Sequence, residues 1–136
     1  MTLVLDSSAT LAWLHNDERS PAIEMLFDRI VDEGVVVPSL WHLEVASALT
    51  NAVRRQRVTK EFRDEALADL AHLDITIDPE TDRHAWTASL RLADLHGLTV
   101  YDAAYLELAQ RRRLPLATLD AALIRAASSS GVETLP

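Results

Sequence analysis

Four short apolar runs constrain this chain more than any other feature. Leu3-Val4-Leu5, Val35-Val36-Val37, Ile75-Thr76-Ile77 and Leu116-Ala117-Thr118 read as short buried strands. Stretches with helical periodicity separate them, and no two lie close enough for a tight hairpin. Strands alternating with helices or helix pairs predict an α/β fold: a parallel sheet covered by helices.

The helices carry their own punctuation. Ser7 to Leu14 reads as a short helix over Leu11 and Leu14, and His15 to Ser20 as a loop. Pro21 opens a second helix with Ile23, Leu26, Phe27 and Ile30 on one stripe, and Gly34 ends it. Pro38 stops the second strand, and Ser39 is placed to N-cap a helix running to about Arg55. Thr59 caps the next, with Phe62, Ala66, Leu70 and Leu73 inward. After Asp78-Pro79, one long helix is expected to carry Trp86, Leu90 and Ala93 to Gly97, and another runs from Val100 to Arg112. Asp120 opens a helix over Ala121 to Ser129, and a terminal strand falls within Val132 to Leu135. No repeat or linker interrupts this pattern, so residues 1–136 are expected to form one domain.

Composition excludes several classes. Hydrophobic residues make up 49% of the 136, so a packed core is expected. The net charge of −8 argues against a basic coat for nucleic acid, although a bound cation can invert the local field. Cys is absent, which removes disulfides, iron–sulfur clusters and thiolate zinc sites and fits a reducing cytoplasm. No apolar run approaches the ~20 residues that span a bilayer. Met1 to Asp6 lacks the basic start of a signal peptide. No Gly-rich phosphate loop is present.

In a parallel sheet, ligands bind outside the carboxyl ends of the strands. Asp6 ends the first strand, and Asp120 follows the fourth by one residue. Glu44 has Leu40, Trp41, Ser47 and Ala48 as helical neighbours, and Asp102 has Tyr105 and Leu106. A carboxylate on such a surface is costly unless it is paired or binds a cation. At ~4 Å, two like charges repel by roughly 4 kcal/mol at an effective dielectric near 20. Converging acids therefore raise their pKa values or hold a cation, and oxygen-only ligands favour Mg²⁺ or Mn²⁺. Each acid also has a structural reading: Asp6 and Asp120 as N-caps, Thr99-x-x-Asp102 as a loose capping box.

Four segments together resemble the PIN-domain ribonucleases, specifically VapC-type toxins of toxin–antitoxin pairs. They are Leu3-Val4-Leu5-Asp6-Ser7-Ser8-Ala9, the stretch from Pro38 to Leu49 around Glu44, Gly97 to Leu106 around Asp102, and Leu116-Ala117-Thr118-Leu119-Asp120-Ala121-Ala122-Leu123. The four acids stand in order at spacings of 38, 58 and 18 residues. The resemblance implies a three-layer fold with sheet order 3-2-1-4-5. It also implies Mg²⁺- or Mn²⁺-dependent endonucleolytic cleavage of RNA, leaving 5′-phosphate and 3′-hydroxyl ends. By position, Asp6, Glu44, Asp102 and Asp120 form the acidic pocket, with Ser8 and Thr118 as the matching hydroxyls. On that resemblance, Asp6 and Asp102 are expected to be the principal metal ligands, directly or through water, with Glu44 and Asp120 completing the shell, recruiting a second ion or orienting the water. Ala121 stands where the family often has a basic residue.

The resemblance further implies a homodimer and a cognate antitoxin that places a basic side chain in the acidic pocket. Candidate partner surfaces are the apolar faces of the first helices and of Trp41 to Val53. Two basic clusters, Arg54-Arg55-Arg57-Lys60 and Arg111 to Arg113, read either as RNA backbone contacts or as favourable charge at helix C-termini. The competing class is a catalytically silent PIN-like binding module. Phosphatases of the haloacid-dehalogenase type and receiver domains are disfavoured, since Ser8 replaces a second acid and Lys60 is the only lysine.

Overall fold

The computed structural model describes residues 2–136. Among them the chain runs β1 (Leu3–Leu5), α1 (Ser7–Leu14), α2 (Pro21–Glu33), β2 (Val35–Val37), α3 (Trp41–Arg54), α4 (Lys60–Leu70) and β3 (Ile75–Ile77). It continues through α5 (Thr81–Ala85), α6 (Ala88–His96), α7 (Val100–Arg112), β4 (Leu116–Ala117), α8 (Ala121–Ser129) and β5 (Thr134–Leu135). All strand pairings are parallel, and the sheet order is β3-β2-β1-β4-β5. This is the topology expected from the four segments. No helix among the described residues is long and apolar enough to cross a membrane.

The central strands have no polar face. Leu3, Val4, Leu5, Val35, Val36 and Val37 are all buried, as befits strands covered on both sides. Leu26, Phe27, Ile30, Trp41, Leu49, Tyr105, Leu106 and Leu108 pack with this sheet in one core. Gly34 must turn into β2 at φ +74, and a Cβ there would meet the Asp74 carbonyl and carboxylate at 3.0 Å. Only glycine meets both demands.

The caps expected at Thr59, Thr99 and Asp120 hold, and Ser20, read only as loop, caps α2: each accepts a hydrogen bond from the backbone N–H three residues on. Two readings need correction. Ser39 does not cap α3. Its N–H donates to Thr81 Oγ1 at 3.0 Å, and the helix starts at Trp41 after an uncapped Leu40.

The expected long helix through Trp86 is two helices. At Thr87 the N–H and hydroxyl both turn back to the His84 carbonyl (3.3 and 3.5 Å), a local bond that competes with helix continuation. Trp86 is therefore 90% exposed rather than inward, and Leu90 faces out as well. Ala93 alone of the three is buried.

Candidate active site

Asp6 sits where β1 ends and α1 begins, and it is 3% exposed. The Ala9 N–H donates to its Oδ1 at 3.0 Å, so Asp6 caps α1. Ser8 Oγ lies 2.8 and 2.9 Å from the two carboxylate oxygens, and Thr118 Oγ1 donates to Oδ2 at 2.5 Å.

The two hydroxyls are themselves oriented. The Leu119 N–H donates to Ser8 Oγ at 2.9 Å, and the Asp120 N–H donates to Thr118 Oγ1 at 3.0 Å. Each hydroxyl oxygen thus accepts from the β4–α8 turn, which leaves its own hydrogen for Asp6. The network joins the ends of β1 and β4, which are neighbours only because the sheet order reverses between them.

Asp120 caps α8 through Oδ1, which accepts from the Leu123 N–H at 2.9 Å. Capping and site placement are the same fact here: the cap holds one oxygen and fixes the orientation of the other. Asp102 lies in the first turn of α7, whose start is capped by Thr99 Oγ1 at 3.1 Å from the Asp102 N–H. Glu44 is half-buried in the first turn of α3, and Tyr105 OH donates to its Oε1 at 2.6 Å.

The electrostatics tie the four acids together. Burial pushes the Asp6 carboxyl up to about 6, against the opposing hydrogen bonds from Ala9, Thr118 and Ser8, with a further push from the Asp102 charge. Burial raises Glu44, and the Asp102 charge adds to it. Burial raises Asp102 too, helped by the charge of Asp120. Burial likewise raises Tyr105, reinforced by Glu44, so its hydroxyl stays protonated and remains a donor.

Asp102 is the hub that feels or perturbs the other three. The gathering is one of field rather than a closed cage: among the described residues no three Asp, Glu or His side chains form a group able to hold a metal ion alone. The donors are all oxygen, partly desolvated and mutually repelling. That set fits a hard divalent cation which retains several of its own waters.

Tyr105 is a candidate site residue that the motifs did not single out. Its signal was its place three residues after Asp102, on the same helical face. The basic clusters sort differently. Arg111 donates to Asp78 Oδ2 at 2.7 Å and to Glu107 Oε1 at 2.6 Å, and Glu80 Oε2 lies 3.4 Å away. Its charge is taken up in a structural ion-pair cluster. Trp41 is core, its Nε1–H donating to Thr10 Oγ1 at 3.2 Å, while Trp13 stacks on Phe27 with centroids 4.5 Å apart.

A five-stranded parallel sheet of this order, with acids at the switch point of the first and fourth strands, defines a small α/β nuclease-like class. The chain belongs to the PIN-domain family, whose profile matches residues 3–128. It is 31% identical to "Ribonuclease VapC3" of Pyrobaculum aerophilum over 120 residues, which cover 88% of this chain and 90% of that relative. The crystal structure of PAE2754 from the same organism superposes with a TM-score of 0.70 at 26% identity, over 98% of this chain and 83% of that one. VapC20 of Mycobacterium tuberculosis, described as a "Sarcin-Ricin loop cleaving toxin", matches with a TM-score of 0.68 at 18% identity, over 99% and 100% of the two chains.

Proposed function

We propose that this chain is a metal-dependent endoribonuclease, the toxin of a toxin–antitoxin pair, built as one PIN domain over residues 1–136. The observation that carries the reading is Asp6: a buried carboxylate, held by three donors, in the field of a second acid and at the β1–β4 switch point. A fold with no catalytic use for this residue would gain by replacing it with a neutral cap.

Asp6 and Asp102 would hold Mg²⁺ or Mn²⁺, with Glu44 and Asp120 at the edge of the shell. Such an ion supplies charge neutralisation for a phosphodiester and lowers the pKa of water. The protein does the rest. Ser8, Thr118 and the Ala9 N–H hold Asp6 in one orientation and favour its ionised form.

Tyr105 occupies Glu44 Oε1, and the Leu123 N–H occupies Asp120 Oδ1. Among the described residues, Glu44 Oε2 and Asp120 Oδ2 have no hydrogen-bond donor of their own. One of those two atoms would orient the attacking water and take its proton as the water oxygen bonds to phosphorus. The P–O3′ bond breaks and the departing 3′-oxygen takes a proton from solvent, giving 5′-phosphate and 3′-hydroxyl products.

The antitoxin has a candidate seat. An open groove of about 690 Å³ runs between α1, the following loop and α3, with Leu11, Ala48, Ala52 and Val58 as apolar lining and Asp17, Glu18, Arg55 and Arg57 as charged lining. Leu11 lies three residues after Ser8, and Ala48 four after Glu44, so the groove begins one helical turn from the site. A peptide lying there can extend a basic side chain into the acidic pocket. The apolar positions of α3 divide accordingly: Trp41, Val45 and Leu49 are core, and the groove side belongs to Ala48 and Ala52.

The test is incubation of purified, antitoxin-free protein with total RNA, with Mg²⁺ and with EDTA, beside Asp6→Asn, with 5′ ends mapped. Discrete cleavage that needs the metal and vanishes in the variant is expected. No cleavage by folded protein over a range of Mg²⁺ and Mn²⁺ would move the reading to a silent binding module.

A further inference from the structure

Thr10 is a polar residue where the fold would take an apolar one. It is fully buried on α1, as are Ala9 and Ala12. A hydroxyl in such a place is costly unless it is bonded. Thr10 uses both halves of its own: Oγ1 donates to the Asp6 carbonyl at 2.7 Å and accepts from the Trp41 indole Nε1–H at 3.2 Å. The first bond duplicates one that the backbone already makes, because the Thr10 N–H reaches the same carbonyl at 3.3 Å. A side-chain bond back to the fourth preceding carbonyl does not stabilise a helix. What the hydroxyl adds is its second partner, on α3.

Trp41 opens α3, and Glu44 stands in the same first turn. Leu40 makes no side-chain cap bond there, so tertiary bonds set where the helix begins. The Ser39 N–H donates to Thr81 Oγ1, and the indole donates to Thr10. Trp41 is almost fully buried, so its N–H depends on that acceptor. A continuous bridge results: Asp6 carbonyl, Thr10 hydroxyl, Trp41 indole, first turn of α3. It joins the main chain of one acid to the helical turn that carries another. The side-chain donors to Asp6, Ser8 and Thr118, lie outside α3 and make no such link. Glu44 is thus held at its root by the bridge and at its tip by the Tyr105 hydroxyl.

We propose that Thr10 and Trp41 are positioning residues, whose bridge sets the separation of the Asp6 and Glu44 carboxylates and so the fit of the pocket to a divalent cation. The inference rests on the metal-dependent reading above, and neither residue touches the ion or the substrate. The acids of the pocket repel one another, and α3, uncapped at its start, would yield outward if untied. A misplacement of about 1 Å is enough to lose most of the effect of an oriented group. Valine at position 10 would fill the same space and leave the indole N–H unpaired, which is the change the bridge cannot absorb.

The test is Mn²⁺ affinity by spin resonance, with thermal melts and the indole N–H resonances of each protein. Four variants stand beside the wild type. Thr10→Val removes the hydroxyl, and Thr10→Ser keeps it but loses the methyl. Trp41→Phe removes the donor, and Ile30→Val trims the buried core on α2, which carries none of the four acids. Thr10→Val and Trp41→Phe are each expected to bind Mn²⁺ about tenfold more weakly. Thr10→Ser and Ile30→Val should bind as the wild type does, in spite of a lower Tm. Thr10→Val should also shift the Trp41 indole resonance, identified by its absence from Trp41→Phe. If Thr10→Val does not fold, Trp41→Phe set against Ile30→Val decides the same question. Wild-type affinity in both bridge variants, or a loss in Thr10→Ser and Ile30→Val that follows their Tm, would overturn the positioning role and leave the metal site standing. A folded wild type that binds no Mn²⁺ would remove the metal-dependent reading, and this role with it.

Discussion

At the scale of single residues, the site works by holding charges where water would not leave them. Asp6 is raised to about 6, so in the folded protein its ionised form is disfavoured. Its contribution to stability is fully present below the ordinary carboxylate pKa and is lost as pH rises through about 6. The shift corresponds to roughly 3 kcal/mol at neutral pH, an upper figure for a nearly buried group. Asp6→Asn is therefore expected to melt higher than the wild type at pH 7 in EDTA, with the gap closing towards pH 4. Thermal melts across that range check it, and an equal gap at both ends would mean that burial is not what raises this group. Glu44 and Asp102 are shifted in the same direction and reinforce the trend. Tyr105 acts one atom further out. Tyr105→Phe keeps the buried ring and removes only the donor to Glu44. The expected outcome is a folded protein with cleavage and Mn²⁺ affinity each lowered about 10- to 100-fold, as for other groups that orient a ligand. Mn²⁺ binding followed by spin resonance separates this from a merely structural loss, which would lower stability and leave affinity unchanged.

At the scale of elements, α7 links the site to a second charge cluster. Arg111 stands nine residues after Asp102, roughly 13 Å along the helix. It clamps Asp78 and Glu107, both almost fully buried, and its charge holds the Asp78 carboxyl below the usual range despite the opposing burial. Arg111→Met strands those carboxylates and is expected to cost about 3 kcal/mol. Here the sign is opposite to that of Asp6: the Asp78 contribution is present at neutral pH and lost as pH falls. The penalty of the variant should thus be largest at pH 7 and shrink towards pH 4, read by urea unfolding. Elements also differ in how legible they were. Strand positions followed from isolated apolar triplets, and the caps at Thr59 and Asp120 from hydroxyl and carboxyl side chains before periodic runs. Asp6 and Asp120 could be placed together because parallel topology alone puts strand ends on one edge, whereas Ser8 and Thr118 came only with the family resemblance. The break at Thr87 was not legible, because residues 81–96 contain neither Pro nor Gly and the competing bond is a single side-chain option. Ser39 misled for the complementary reason: its N–H found Thr81, a partner 42 residues away. The Arg111 clamp reaches Asp78, 33 positions away, so its charge looked like part of a basic patch.

At the scale of the whole molecule, an acidic chain concentrates its least tolerable charges at one edge of the sheet. With a net charge of −8, any salt relieves some repulsion, so general screening must be separated from a bound ion. A site that binds a cation only when folded stabilises by mass action, by roughly 1.4 kcal/mol at about ten times the dissociation constant. For a chain of this size that is a rise of about 5 °C in Tm. Mg²⁺ or Mn²⁺ is expected to raise the Tm of the wild type by this order, and NaCl at matched ionic strength by much less. Asp6→Asn should start higher and respond little, because it has lost the carboxylate that most resists ionisation and the ion that relieves it. Differential scanning calorimetry of both proteins, in EDTA, NaCl and each divalent salt, gives the comparison. If NaCl reproduces the divalent effect, the four acids are a screened surface rather than a site. If the variant responds as fully as the wild type, the ion binds elsewhere, and Asp6 is a cap that topology happens to place at the edge where ligands bind.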